Sequence, residues 1–255
     1  MAHLSATIDS AALGFNTHVQ VIFPQNQDAR IEKILYLLHG LSDNCTGWLY
    51  KSRIAEYAKK NQYIVIMPEV QRSFYSDMAH GSKYFTYVSR ELPETCERIF
   101  NIKHTRENTF VAGLSMGGYG AMKCGLARPD FYAACASFSG ALDMKGRVEG
   151  AKQAGQGQLP EMAAILGEGL HYPDNSDLFY LAGEAVKKPA RPRVFITCGD
   201  ADFLLEDNRR FTAHMKAINY EHKYMEWPGD HTWDFWEECL PLAFDFFECR
   251  CGDEK

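Results

Sequence analysis

Apolar and polar positions alternate near the start of the chain, and unbroken apolar runs follow. Thr17, Val19, Val21 and Phe23 alternate with His18, Gln20 and Ile22, the pattern of a half-buried strand. Two strands are predicted, over 4–13 and 16–24, joined at Gly14-Phe15. The runs Ile34–Leu38 and Tyr63–Met67 are apolar throughout and predict buried parallel strands. Asn108–Ala112, Tyr132–Phe138, Arg193–Cys198 and His222–Trp227 extend the series. Helical periods lie between them. Ser52–Lys60 turns Ile54, Tyr57 and Ala58 inward, and Phe85, Val88, Leu92, Cys96 and Ile99 repeat at helical spacing. Pro93 is expected to kink or split that helix. Gly118, Met122 and Leu126 share a face, as do Phe211, Met215 and Ile218 in a helix from Glu206 to Asn219. A terminal helix carries Trp233, Trp236, Leu240 and Phe244, with Pro241 bending it or starting a second piece. Strands alternating with helices predict an α/β fold with a mainly parallel sheet of about eight strands and helices on both faces. Residues 141–190 break the rhythm and are rich in Gly, Lys, Glu and Gln. They are expected to form a small helical insertion, cap-like, on a single domain.

Composition narrows the classes. The chain has 255 residues and a net charge of -6, so no basic surface suggests nucleic acid as a partner. No stretch reaches the length of a membrane span. Residues 1–7 have neither basic residues nor an apolar run, so no signal peptide is read there. Of eight cysteines, Cys124, Cys135, Cys198 and Cys239 fall in apolar elements and are expected as core thiols. Cys249 and Cys251 form C-R-C, and no C-x-x-C pair suggests a metal site. A reducing, cytoplasmic compartment is expected.

The chemistry gathers at strand ends. Gly113-Leu114-Ser115-Met116-Gly117 is a G-x-S-x-G between an apolar strand and a helix, the context of a nucleophile elbow. A serine nucleophile needs a general base and an orienting acid. His231, in Gly229-Asp230-His231, follows the last predicted strand and is the candidate base. Asp200 and Asp202 both follow the seventh strand, and spacing alone leaves the acid open between them. The oxyanion donors are expected to be the backbone N–H groups of Met116 and of Leu41, in His39-Gly40-Leu41. His39 precedes the elbow and is expected to pack and hydrogen-bond, holding that loop.

Five segments together resemble the esterase D group of α/β-hydrolases, which includes tributyrin-esterase-like and S-formylglutathione-hydrolase-like carboxylesterases. They are Leu38-His39-Gly40-Leu41-Ser42, Phe74-Tyr75-Ser76-Asp77-Met78, Gly113–Tyr119, Asp202-Phe203-Leu204 and Gly229–Trp233. The resemblance implies an α/β-hydrolase fold and a serine-dependent acyl hydrolase with no cofactor and no metal, often a homo-dimer or homo-tetramer. It also implies Asp202 as the acid. Cys45 is displaced from the position that the formylglutathione branch uses, which favours the tributyrin-esterase-like branch. The expected reaction is hydrolysis of a small-molecule, short-chain acyl ester. Trp48, Tyr75 and Trp233, with Phe74, are expected to restrict the substrate pocket. Feruloyl, cinnamoyl or acetylxylan-type esters, glutathione thioesters and acyl transfer stand as alternatives.

Overall fold

The chain was analysed as a computed structural model, which describes residues 1–25, 33–155 and 161–249. Most of the loop expected after Pro24, part of the 141–190 insertion, and Cys251 lie outside the described residues.

Eight strands form one sheet in the order β1-β2-β4-β3-β5-β6-β7-β8. They are β1 Ala2–Ser10, β2 Phe15–Phe23, β3 Lys33–Leu38, β4 Tyr63–Pro68, β5 Thr109–Leu114, β6 Ala134–Phe138, β7 Arg193–Gly199 and β8 His222–Trp227. β1 pairs antiparallel with β2, and β2 antiparallel with β4; the pairs from β4 to β8 are parallel. The helices are α1 Gly47–Lys51, α2 Ile54–Asn61, α3 Tyr84–Thr86, α4 Leu92–Phe100, α5 Met116–Ala127, α6 Met144–Gln153, α7 Glu161–Leu166, α8 Leu178–Ala185, α9 Leu205–Ala217 and α10 Trp233–Phe247. This is an α/β-hydrolase fold.

The continuous apolar runs are explained by a sheet covered on both sides. In β3, Ile34, Tyr36 and Leu38 enter one core with α5, α8 and α9, while Leu35 and Leu37 enter a second with α2 and α10. The second core is strongly aromatic. Phe244 packs its ring 5.1 Å from that of Tyr63, and Phe110 sits 5.0 Å from Phe247. α10 runs unbroken through Pro241. Cys124, Cys135, Cys198 and Cys239 are buried free thiols.

One helical face departs from its predicted phase. Tyr87–Glu91 is a π-helical turn, and Pro93 falls in the first turn of α4, where its missing N–H leaves no bond unmade. The wide turn takes up an additional residue. The buried face therefore continues as Leu92 and Cys96 to Phe100, which packs against Phe23, and Ile99 is exposed. Among the described residues, the segment between β6 and β7 carries α6, α7 and α8.

Phe244 joins α10 to the sheet. Phe244→Ala should cost about 3–5 kcal/mol in urea unfolding, the usual loss for a buried Phe truncated to Ala. A loss below about 1 kcal/mol would place α10 outside the cooperative core.

Candidate active site

Ser115 stands between β5 and α5 at φ 52°, ψ -117°, a conformation that side chains rarely adopt. The chain doubles back there so tightly that a side chain at Gly117 would overlap the carbonyl oxygens of Leu38 and His39. The turn thus pins the start of α5 against the end of β3.

His231 follows β8, and its Nε2 lies 3.0 Å from Ser115 Oγ. Its Nδ1 lies 2.8 Å from Asp202 Oδ2. A carboxylate can only accept, so Nδ1 carries the proton and Nε2 faces the serine as an acceptor. The Asp202 side chain is fully buried, and its Oδ1 accepts the Leu204 N–H at 2.8 Å. Burial pushes the Asp202 carboxyl up. Hydrogen bonds from His231 and the Leu204 N–H outweigh it and hold the group below the ordinary carboxylate range. Asp200 points elsewhere, where its Oδ1 accepts the Gly229 N–H at 3.3 Å and braces the turn after β8.

The oxyanion candidates sit where β3 and β5 end. Three successive carbonyls lead into Leu41, and each is held by a buried donor. Trp48 Nε1 donates to Leu38 O at 3.0 Å, the Tyr75 hydroxyl donates to His39 O at 2.8 Å, and His39 Nδ1 donates to Gly40 O at 2.8 Å. His39 Nε2 accepts the Val70 N–H at 3.2 Å, so both ring nitrogens are used in holding the loop. Neither the Leu41 nor the Met116 N–H has an acceptor among the described residues.

Two expected pocket residues take a different place. Trp48 is 1% exposed and Tyr75 is fully buried, so both support the loop from inside instead of lining a pocket. They are bulky and apolar as a pocket wall would be, but each has one polar atom whose partner is a main-chain carbonyl. Trp233 is partly buried, and its ring is edge-on to Trp48 at 5.1 Å and to Trp236 at 5.4 Å.

Sequence reasoning passed over Phe203, Ser139 and Arg147. Phe203 is 66% exposed, with its ring 4.6 Å from the His231 ring; Trp236 closes the opposite side edge-on at 4.9 Å. An apolar ring adjoining Asp202 in sequence was the available signal. Ser139, just beyond β6, is buried at φ 48°. Only its place at a parallel strand's carboxyl end hinted at a role. Arg147 on α6 donates to Phe203 O at 3.1 Å and to the Asp207 carboxylate, tying the insertion to the segment that carries Asp202.

Among the described residues, no group of His, Cys, Asp and Glu is arranged to hold a metal ion, and no helix is long and apolar enough to cross a membrane.

Comparison with known proteins places the whole chain in a family. The family model described as "Putative esterase" matches residues 10–247. An acetyl esterase of Caldicellulosiruptor saccharolyticus is 30% identical over 96% of this chain and 98% of its own. Among solved structures, the fluorophosphonate-binding serine hydrolase FphF of Staphylococcus aureus superposes with TM-score 0.86 at 29% identity, over 96% of this chain and 98% of that one. An S-formylglutathione hydrolase, FrmB, from Staphylococcus aureus gives TM-score 0.84 at 30% identity with the same coverage. With an α/β-hydrolase fold and a match spanning nearly its whole length, the chain belongs to the Esterase family and is a carboxylic ester hydrolase.

Proposed function

We propose that the protein is a serine carboxylesterase for short-chain acyl esters, working through Ser115, His231 and Asp202. The observation that carries this reading is the unbroken hydrogen-bonded line from Ser115 Oγ through His231 to buried Asp202, beside two unengaged backbone N–H groups. Ser115 Oγ attacks the ester carbonyl carbon while His231 Nε2 takes its proton. The carbonyl oxygen becomes an oxyanion, held by the Leu41 and Met116 N–H groups. Asp202 keeps the imidazole in the required tautomer and stabilises the imidazolium. The intermediate collapses, the C–O bond to the alcohol breaks, and His231 returns the proton to the leaving oxygen. Water, activated by the same histidine, then releases the acid from the acyl-enzyme.

Two observations support a short acyl group. The acetyl esterase relative aligns end to end with this chain. The ground beside His231 is crowded by the rings of Phe203, Trp233 and Trp236. A second reading, thioester cleavage, is favoured by the similarity to FrmB.

A fluorophosphonate probe should modify Ser115 alone, and Ser115→Ala should lower kcat about 10³–10⁶-fold with an unchanged circular dichroism spectrum. Activity within tenfold of the parent would exclude the covalent route. The two aspartates separate cleanly. Asp202→Asn should cost about 10⁴-fold in kcat because the imidazole then adopts the wrong tautomer. Asp200→Asn should be mild, and the reverse order would reassign the acid. Acyl length provides a third measurement. Each buried CH₂ adds about 0.8 kcal/mol until the pocket is full, after which overpacking costs about 1–3 kcal/mol. For 4-nitrophenyl esters, log kcat/KM should therefore peak at about two to four carbons. A steady rise to eight carbons or more would replace the short-chain reading with an open apolar cleft, and a formyl thioester hydrolysed far faster than any of these esters would favour the second reading.

A further inference from the structure

On the far side of Tyr119 from the serine, α5 carries a charge that the esterase chemistry does not use. Lys123 is 2% exposed. Its Nζ donates to Ser76 Oγ and to Ser176 Oγ, each at 2.9 Å. Both hydroxyls send their own protons away from it, Ser76 to Phe74 O at 3.0 Å and Ser176 to Asn175 Oδ1 at 3.4 Å. The two serines are therefore acceptors here, and the arrangement is a cradle for a cation instead of an activated hydroxyl. An ammonium has three donors, and these bonds use two. No carboxylate among the described residues comes within ion-pairing distance of Nζ.

Lys123 also faces a space. A cavity of about 140 Å³ is lined by Lys123, Ser76, Ser176 and Asn175 on its polar side and by Ile165 and Leu166 on its apolar side. That is far above the roughly 10–15 Å³ that admits one water. Asp77 borders the same space; its carboxylate accepts the Thr86 N–H at 2.9 Å and the Thr86 hydroxyl at 2.7 Å and makes no ion pair with Nζ. The rings of Phe85 and Tyr119 stand 4.9 and 5.7 Å from Nζ and stabilise a cation without neutralising it. Burial pushes the Lys123 amino group down to about 8, against the smaller opposing effects of Cys124 and Asp77. A buried ammonium with no counter-ion is costly, and an anion in the adjoining space would offset that cost. The lining thus combines hydroxyl, amide and ammonium groups with the aliphatic side chains of Ile165 and Leu166. That pairing suits an anionic head on a short alkyl tail.

We propose that the cavity beside Lys123 is a binding site for a small carboxylate anion, distinct from the site at Ser115. It lies where three segments meet: α5, the Phe74–Asp77 loop that supports the oxyanion candidates, and the insertion through Ser176. The proposal does not depend on the roles given to Ser115, His231 and Asp202.

Thermal unfolding of the full chain tests it, with formate, acetate and butyrate titrated at constant ionic strength against chloride and sulfate. A carboxylate at a hundredfold excess over its Kd should raise Tm by about 5 °C, and the rise should grow with the logarithm of its concentration. Chloride and sulfate should fall well short of this. Lys123→Met should abolish the response, and the exposed-site control Lys59→Met should keep it. If Lys123→Met does not fold, Leu166→Trp fills the cavity, leaves the lysine in place and should also abolish the response. Acetate soaked into crystals should be found within hydrogen-bonding distance of Nζ. A carboxylate response that survives Lys123→Met or Leu166→Trp would overturn the proposal. So would the lack of any rise in Tm with carboxylate, or one shared equally by chloride and sulfate.

Discussion

The direction of one peptide unit governs the site. Gly40 C=O and Leu41 N–H belong to the same trans peptide and point in opposite directions. His39 Nδ1 and the Asp43 N–H both bond Gly40 O, at 2.8 and 3.2 Å, so that oxygen is fixed inward and the Leu41 N–H must face away from it. The same logic holds at the elbow. Ser115 O accepts from the Tyr119 and Ala141 N–H groups, which turns the Met116 N–H back toward the start of α5. Two amides are thus aimed by bonds that their own peptide partners make. Each such bond is worth only about 0.5–1.5 kcal/mol net. Their value here is geometric, because a rotated peptide would withdraw the donor.

That geometry is held by backbone in unfavourable conformations. Phe74 and Tyr75 both take left-handed angles, at φ 48° and 49°. Non-glycine residues held so cost on the order of 1–3 kcal/mol each. The Tyr75 ring fits against α5 where Gly120 leaves no side chain, and its hydroxyl reaches His39 O. Burial of a whole aromatic ring and one well-made hydrogen bond stabilise the turn. The loop after β4 therefore acts on the loop after β3 through a single side chain.

Much of this was readable from residue order, and the gaps have physical causes. Continuous apolar runs marked the parallel strands because both faces of the sheet are covered, as Ile34–Leu38 shows. Ser115 stood out because a tight strand-to-helix turn requires small residues on either side of its central residue, here Gly113 and Gly117. His231 stood out by its position at a strand end, and the structure brings it to Ser115 and Asp202. The choice between Asp200 and Asp202 was not resolvable by spacing, since both follow β7 within two residues, and resemblance alone favoured Asp202. Trp48 and Tyr75 were misplaced because composition cannot tell an aromatic wall from an aromatic strut. Ile99 was misplaced because period counting assumes a uniform helix, which the π turn at Tyr87–Glu91 is not. Lys123 gave no signal, since a lysine on a helix ordinarily faces water.

The helical segment between β6 and β7 is tied to the chain that follows Asp202. Arg147 on α6 bonds Phe203 O and the Asp207 carboxylate, and Arg210 on α9 bonds both Asp207 and Asp143. Burial pushes the Asp207 carboxyl up more than its arginine partners pull it down. The insertion is thereby fastened to the start of α9, immediately after Asp202. Ser139 fastens the other side. Its N–H donates to Thr197 O on β7 at 2.8 Å. Asp202 itself accepts the Leu204 N–H and meets His231 Nδ1, each at 2.8 Å. A carboxylate buried so completely keeps its charge only while these donors stay in place. The helices between β6 and β7 thus brace the chain on the far side of Phe203, although these bonds reach neither His231 nor Ser115.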